Sequence, residues 1–153
     1  MEVDEPGSAI ILDANLLLWA HHRQLPYHVP ARDWLTETLS TVPSVGIPWT
    51  TTLAFVRIST HPGALERPLT SPAALEVVDS WLDRPNVTTP APADRHRDLF
   101  KRMVMQGKAS GNHITDAHLA GLAVEWGLTL VSADRDFARY PQLRWHDPST
   151  AWS

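Results

Sequence analysis

The chain of 153 residues contains no cysteine, which excludes disulfides, thiolate chemistry, zinc fingers and iron–sulfur clusters. Long hydrophobic runs are missing as well. None approaches the ~20 residues needed to span a bilayer, and no charged-then-apolar leader opens the chain, so a soluble cytoplasmic protein with no membrane partner is expected. Positive charge is scarce: 13 Lys and Arg stand against 17 Asp and Glu, for a net charge of −4. A basic footprint for nucleic acid is thus absent over the chain as a whole. That argues against passive DNA binding, but not against an enzyme whose acids hold a cation. Internal repeats, low-complexity tracts and linkers are also lacking.

What is present describes one globular domain. Apolar residues make up 43% and charged residues 20%, which excludes a disordered chain or a coiled coil. A chain of this length buries about 68–70% of its unfolded surface. The 13 prolines fall mostly at element boundaries. Residues 1–8 are polar and expected to fray, residues 9–148 form the domain, and 149–153 read as a tail.

Ala9-Ile10-Ile11-Leu12 is a short continuous apolar run, as in a strand buried on both faces of a parallel sheet. Leu16–Ala20 and Ala31–Leu39 read as helices, with Pro30 in a first turn and Trp34, Leu35 and Leu39 on one face. Val45–Pro48 reads as a strand and Thr50–Ser59 as a helix. Ser71-Pro72 signals an N-cap followed by proline at N1, with Leu75, Val78 and Leu82 as the buried stripe. Asn86–Thr89 is a weaker strand, and Ala93–Gln106 a helix with Leu99, Phe100 and Met103 inward and Gly107 as its stop. Thr115-Asp116 opens a helix through Trp126 with Gly127 as its C-cap, and Leu128–Ser132 is taken as the last strand. Strands alternating with helices predict an α/β domain with a mostly parallel sheet. Its right-handed crossovers leave the carboxyl ends of the strands on one edge.

Asp13 follows the first strand and Asp134 the last, at the edge where open α/β sheets bind ligands. Asp116 opens a helix that feeds the strand ending at Asp134, and Asp136 lies two residues further on. Any one of them reads as an N-cap or a polar turn, where Asp is favoured. Three or four at one edge do not. Two such charges about 4 Å apart repel by ~4 kcal/mol at an effective dielectric of ~20. Either some of them are protonated or a divalent cation removes that cost, and for a cation the oxygen-only donor set selects Mg²⁺ or Mn²⁺. Phosphodiester hydrolysis is the chemistry that follows.

The order and surroundings of these acids resemble the PIN-domain family, specifically the VapC-type toxins of type II toxin–antitoxin pairs. The matching stretches are Ile11–Asn15, Phe55–Thr60, Gly111–Ala120 and Val131–Pro141, within a match from about residue 9 to 148. The resemblance implies a Rossmann-like three-layer α/β/α sandwich, a Mg²⁺- or Mn²⁺-dependent endoribonuclease, a homodimer, and neutralisation by a VapB-type antitoxin. It implies that Asp13, Asp116 and Asp134 are the catalytic and metal acids, that Asp136 supports the metal, and that Asn15, Thr115 and Ser132 orient them. The expected substrate is a structured RNA, a tRNA or rRNA, cut to leave a 5′-phosphate and a 3′-hydroxyl. One departure stands out: the glutamate usual three residues before the arginine of the middle motif is Ala54 here. It leaves open a competing reading, a PIN-like module that binds RNA or antitoxin without cutting. A phosphatase with Asp13 as nucleophile is disfavoured, because Asn15 stands where that class wants a second aspartate.

Among the remaining polar residues, His113 and His118 flank Asp116, but an oxygen-only site already suffices for a hard cation. Arg57 is expected either at an RNA phosphate or paired with a site aspartate. Arg95 and Arg102, with Arg97, Lys101 and Lys108, form the one basic concentration, an RNA-backbone track or a solvated helix face. Of seven tryptophans, Trp19, Trp34, Trp81 and Trp126 fit core or dimer packing, while Trp49, Trp145 and Trp152 fall in loops or near the end.

Overall fold

The first apolar run becomes the central strand, β1 (Ala9–Leu12), of a five-stranded, all-parallel sheet in a computed structural model that describes residues 8–152. The sheet order is β3-β2-β1-β4-β5, with β2 at Ser44–Gly46, β3 at Val87–Thr88, β4 at Thr129–Val131 and β5 at Trp145–His146. Alternation along the strands separates two cores. Ile10, Leu12, Val45 and Val131 face α1 (Ala14–His21), α2 (His28–Thr41), α3 (Trp49–Ser59) and α4 (Ser71–Leu82). Ile11 and Leu130 face α5 (His96–Gly107) and α6 (His113–Trp126). The result is the expected three-layer α/β/α sandwich. Ile10, Ile11 and Leu12 are fully buried, each contributing about 1.5–3 kcal/mol of transfer free energy.

From β1 the chain builds outward through β2 and β3, then crosses under α5 and α6 to add β4 on the other side of β1. The sheet therefore changes winding direction between β1 and β4. At such a switch point the connections part on either side and leave a crevice beyond the strand ends.

Several local expectations shift by a residue or a face. The N-cap of α4 is Thr70, whose hydroxyl accepts from Ala73 N at 3.2 Å, with Ser71 already helical. The inward stripe of α4 is Ala74, Val78 and Trp81, and Leu75 is 52% exposed. Trp81 decides that rotation by meeting the Phe55 ring edge-on at 4.7 Å. Helix α5 starts at His96, because the Glu125 carboxylate accepts from Ala93 N and Arg95 N and so ends the preceding loop. Helix α6 starts at His113, two residues earlier than expected, and Asp116 sits in its first turn.

Trp145 lies in β5 beside β4, not in a loop, which makes β4 the penultimate strand. Trp126 is half-exposed and donates its ring N–H to Ala91 O. Of the stretch expected to fray, residues 1–7 lie outside the described residues, while Ser8 accepts from Ser44 N. Of the tail, Pro148–Ala151 form a 3₁₀ turn capped by Asp147, Trp152 packs on the first core, and Ser153 lies outside the described residues.

Gly107 serves a purpose other than the one expected. The left-handed residue ending α5 is Lys108, at φ 51°. A Cβ on Gly107 would instead collide with the Tyr140 ring. Gly107→Ala is expected to lower stability by about 1–3 kcal/mol through overpacking, read as a lower midpoint in urea unfolding at unchanged slope.

Candidate active site

The register Leu12↔Val131 sets the residues that follow, Asp13 and Ser132, side by side at the switch point. Asp13 caps α1: its Oδ1 accepts from Ala14 N at 2.8 Å, and its backbone N–H continues the ladder to Val131 O. Its Oδ2 accepts from the Ser132 hydroxyl at 2.7 Å. Ser132 is fully buried. The same Oγ accepts from Asn15 Nδ2 at 3.2 Å and from Asp134 N at 3.0 Å. One hydroxyl thus orients Asp13, Asn15 and the backbone of Asp134. Asp134 caps the 3₁₀ turn Arg135–Arg139 by accepting from Asp136 N at 2.9 Å.

Asp116 comes from the first turn of α6 on the far side of the crevice. Its carboxyl is pushed up from 3.8 to about 6, first by burial and then by the charges of Asp13 and Asp134, with His113 opposing. Burial also raises Asp13, against its hydrogen bonds from Ser132 and Ala14, and Asp134 adds to the rise. These three acids therefore share one electrostatic space.

A consequence for stability follows in metal-free buffer. The folded Asp116 keeps its proton up to about pH 6, whereas an ordinary carboxyl releases it near 3.8. The folded state binds more protons in that window, so stability falls as pH rises through it and levels off above. Asp116 is partly solvated, which reduces the expected loss to about 1 kcal/mol. Asp116→Asn is expected to flatten this decline in thermal melts taken from pH 4 to pH 7.

His113 lies beside the acids. Its Nδ1 is 3.5 Å from Asp116 Oδ2 and 3.7 Å from Asp136 Oδ2, and its Nε2 is 3.3 Å from Arg139 Nη2. Arg139 Nη1 donates to Gly107 O, and the Tyr140 hydroxyl donates to the His113 carbonyl. Burial, then the charge of Asp116, pushes the Tyr140 hydroxyl up to about 12, so it stays a donor. His118, five residues along α6, is turned away from the acids. Its Nδ1 lies 2.9 Å from His96 Nε2, with Glu125 beyond at 3.7 Å from His96 Nδ1.

Other expected site residues are not drawn in. Thr115 is exposed, and no hydrogen bond joins its side chain to the acids among the described residues. Arg57 is exposed on α3 and, among the described residues, pairs with no aspartate. Arg95 and Arg102 are exposed on α5 and its cap. Ala54 is half-buried on α3, one turn beyond Thr51, whose hydroxyl donates to Leu12 O and ties that helix to the end of β1. Arg139 and Tyr140 were not singled out from sequence. The one available signal was their place inside the matching stretch that ends at Pro141.

As a metal site the donor set is chemically suitable: carboxylate oxygens, one stabilised by a hydroxyl, whose mutual repulsion a hard divalent cation relieves. Among the described residues, no three acidic or imidazole side chains are already gathered as a ligand cage. No described helix is long and apolar enough to cross a membrane.

The five-stranded parallel sheet with its helices is a fold shared with known proteins. Residues 10–143 match the PIN domain family. The chain is 41% identical to Ribonuclease VapC37 of Mycobacterium tuberculosis over 138 residues, 90% of this chain and 96% of that protein. It is 34% identical to VapC ribonuclease Mb2897 of Mycobacterium bovis over 139 residues, covering 91% and 95%. Among solved structures, DNA-bound VapBC from Salmonella typhimurium matches with a TM-score of 0.61 at 23% identity, over 91% of this chain and 97% of that one. VapBC2 from Rickettsia felis, bound to a promoter DNA fragment, matches with a TM-score of 0.63 at 16% identity, over 91% and 98%. These two likenesses establish the fold. The chain belongs to the PIN domain family, and within that family it groups with the VapC ribonucleases.

Proposed function

We propose that this protein is an endoribonuclease toxin that hydrolyses a phosphodiester bond in a structured RNA, a tRNA or rRNA. The observation that carries this reading is the convergence of Asp13, Asp116 and Asp134 at the switch point of a chain 41% identical to a VapC ribonuclease. Asp13, Asp116 and Asp134, with Asp136 beside them, would hold Mg²⁺ or Mn²⁺. The chemistry such an ion supplies is polarisation of the scissile phosphate and activation of a water. The chain's own residues prepare that chemistry. Ser132 fixes the Asp13 carboxylate by donating to it, Asn15 holds Ser132, and the 3₁₀ turn holds Asp134 and Asp136 in one tight unit. Arg57, free of carboxylate partners among the described residues, supports a phosphate contact.

The regulatory reading is a VapB-type antitoxin as partner, supported by structural neighbours that are VapBC complexes. A homodimer and a cytoplasmic location complete the proposal. Cleavage of total RNA by the purified protein tests it. Discrete fragments with 5′-phosphates are expected with Mg²⁺ or Mn²⁺ and should vanish with EDTA. Folded, metal-supplied protein that cuts no RNA would overturn the reading and favour a module disabled at Ala54.

A further inference from the structure

We infer that Arg139 is a positioning residue that keeps Nε2 of His113 bare and so fixes its Nδ1-protonated tautomer, with that N–H presented to the carboxylates of Asp116 and Asp136. A guanidinium has only donors. The imidazole nitrogen that faces Arg139 Nη2 at 3.3 Å, Nε2, must therefore present its lone pair. The ring proton then belongs on Nδ1, the atom 3.5 Å from Asp116 Oδ2 and 3.7 Å from Asp136 Oδ2. The tautomer is assigned here by the partner of the opposite nitrogen, the usual device by which a second group orients an imidazole.

The rest of the neighbourhood holds this arrangement. Arg139 Nη1 is anchored on Gly107 O at the end of α5. Arg139 Nε is buried with no hydrogen-bond partner, a cost that burial of the guanidinium carries for stability. The Tyr140 hydroxyl donates to the His113 carbonyl at 3.2 Å and fixes the backbone of the first turn of α6. Gly107 lets the Tyr140 ring approach closely enough to do so. The end of α5, the 3₁₀ turn and the start of α6 are thereby joined around His113, and two of the joined pieces carry Asp116 and Asp136.

The tautomer lock stands on geometry alone, while its effect on cleavage rests on the reading of Asp116 as a site acid. Long-range ¹H–¹⁵N correlation spectra of the uniformly labelled full chain at neutral pH, without RNA or added metal, report each ring nitrogen separately. His113 is identified by the signal lost in His113→Asn. The expected wild-type spectrum has a protonated Nδ1 and a bare Nε2. In Arg139→Met, with folding checked by circular dichroism, Nε2 is expected to lose its bare-nitrogen signal in part, because the carboxylates facing Nδ1 keep a proton there and only the guanidinium excludes one from Nε2. A wild-type ring already protonated on Nε2, or on both nitrogens, overturns the inference whatever the variants do. So does a folded Arg139→Met variant whose ring is unchanged.

Cleavage assays separate positioning from mere structure. Asn carries its amide nitrogen where Nδ1 sits, and Gln carries it where Nε2 sits. Arg139→Met and His113→Gln are expected to cut RNA about 10–100-fold more slowly, the usual loss when a group orienting site ligands is removed. His113→Asn should retain most of the wild-type rate. Equal rates for the Asn and Gln variants would overturn the positioning role. The expected tautomer in a wild-type protein that cuts no RNA would instead count against the nuclease reading.

Discussion

Asp13→Asn is expected to lower RNA cleavage about 10³-fold or more while leaving the protein folded. The activity estimate corresponds to several kcal/mol of lost charge stabilisation around the scissile phosphate. Stability is governed by opposing local effects. Asn caps helices as well as Asp does, and removing the charge relieves the burial and repulsion that raise the Asp13 carboxyl. Against this, Ser132 Oγ already accepts from Asn15 Nδ2 and Asp134 N, so its proton needs an acceptor at position 13. An amide that keeps its oxygen on Ala14 N turns its NH₂ toward a hydroxyl with no lone pair to spare. The opposite rotamer sacrifices the cap. The two sides are of similar size, about 1 kcal/mol each, so the melting temperature should move by no more than a few degrees. An Asp13→Asn protein that melts normally and still cuts RNA at the wild-type rate would remove Asp13 from the site.

Ser132→Ala is expected to have the opposite balance, with a large loss of stability and a smaller loss of rate. The hydroxyl is fully buried and takes part in three hydrogen bonds. Its removal strands the Asp13 Oδ2, the Asn15 amide and the Asp134 N–H together. Water reaching the crevice recovers part of that, leaving a destabilisation of about 2–4 kcal/mol. A smaller cleavage loss, about 10–100-fold, follows from the disordered Asp13 carboxylate. Urea unfolding and cleavage measured on the same preparation check both figures. A stable variant with a large rate defect would mean that Ser132 touches the substrate directly.

Ala54 bears on both experiments. Thr51 ties the first turn of α3 to Leu12, but no acid projects from that helix. RNA cleavage by this chain, which its relationship to the VapC ribonucleases supports, would show that a carboxylate at position 54 is dispensable. The contribution of the missing carboxylate can be measured directly with Ala54→Glu.

The sequence alone determined the class of fold and named the candidate acids. The apolar run before Asp13 and the alternation of strands with helices required a parallel sheet, since only a strand covered on both faces is apolar throughout. The motif around each aspartate was local and therefore readable. What the sequence left open depends on contacts between distant segments. Ser132 and Asp13 are 119 residues apart, and only the Leu12↔Val131 register makes them neighbours. Strand order, with β4 returning beside β1, placed the switch point. The face α4 buries was settled by Trp81 against Phe55, and β5 by pairing too short to leave a periodic signal. Arg139, Tyr140 and Gly107 form the same kind of case. Each looks ordinary in the chain, and only the meeting of α5, α6 and the 3₁₀ turn gives an arginine the lone pair of a histidine to hold. Local propensity writes the elements, but a hydrogen bond across the sheet edge exists only once packing has fixed which elements are adjacent.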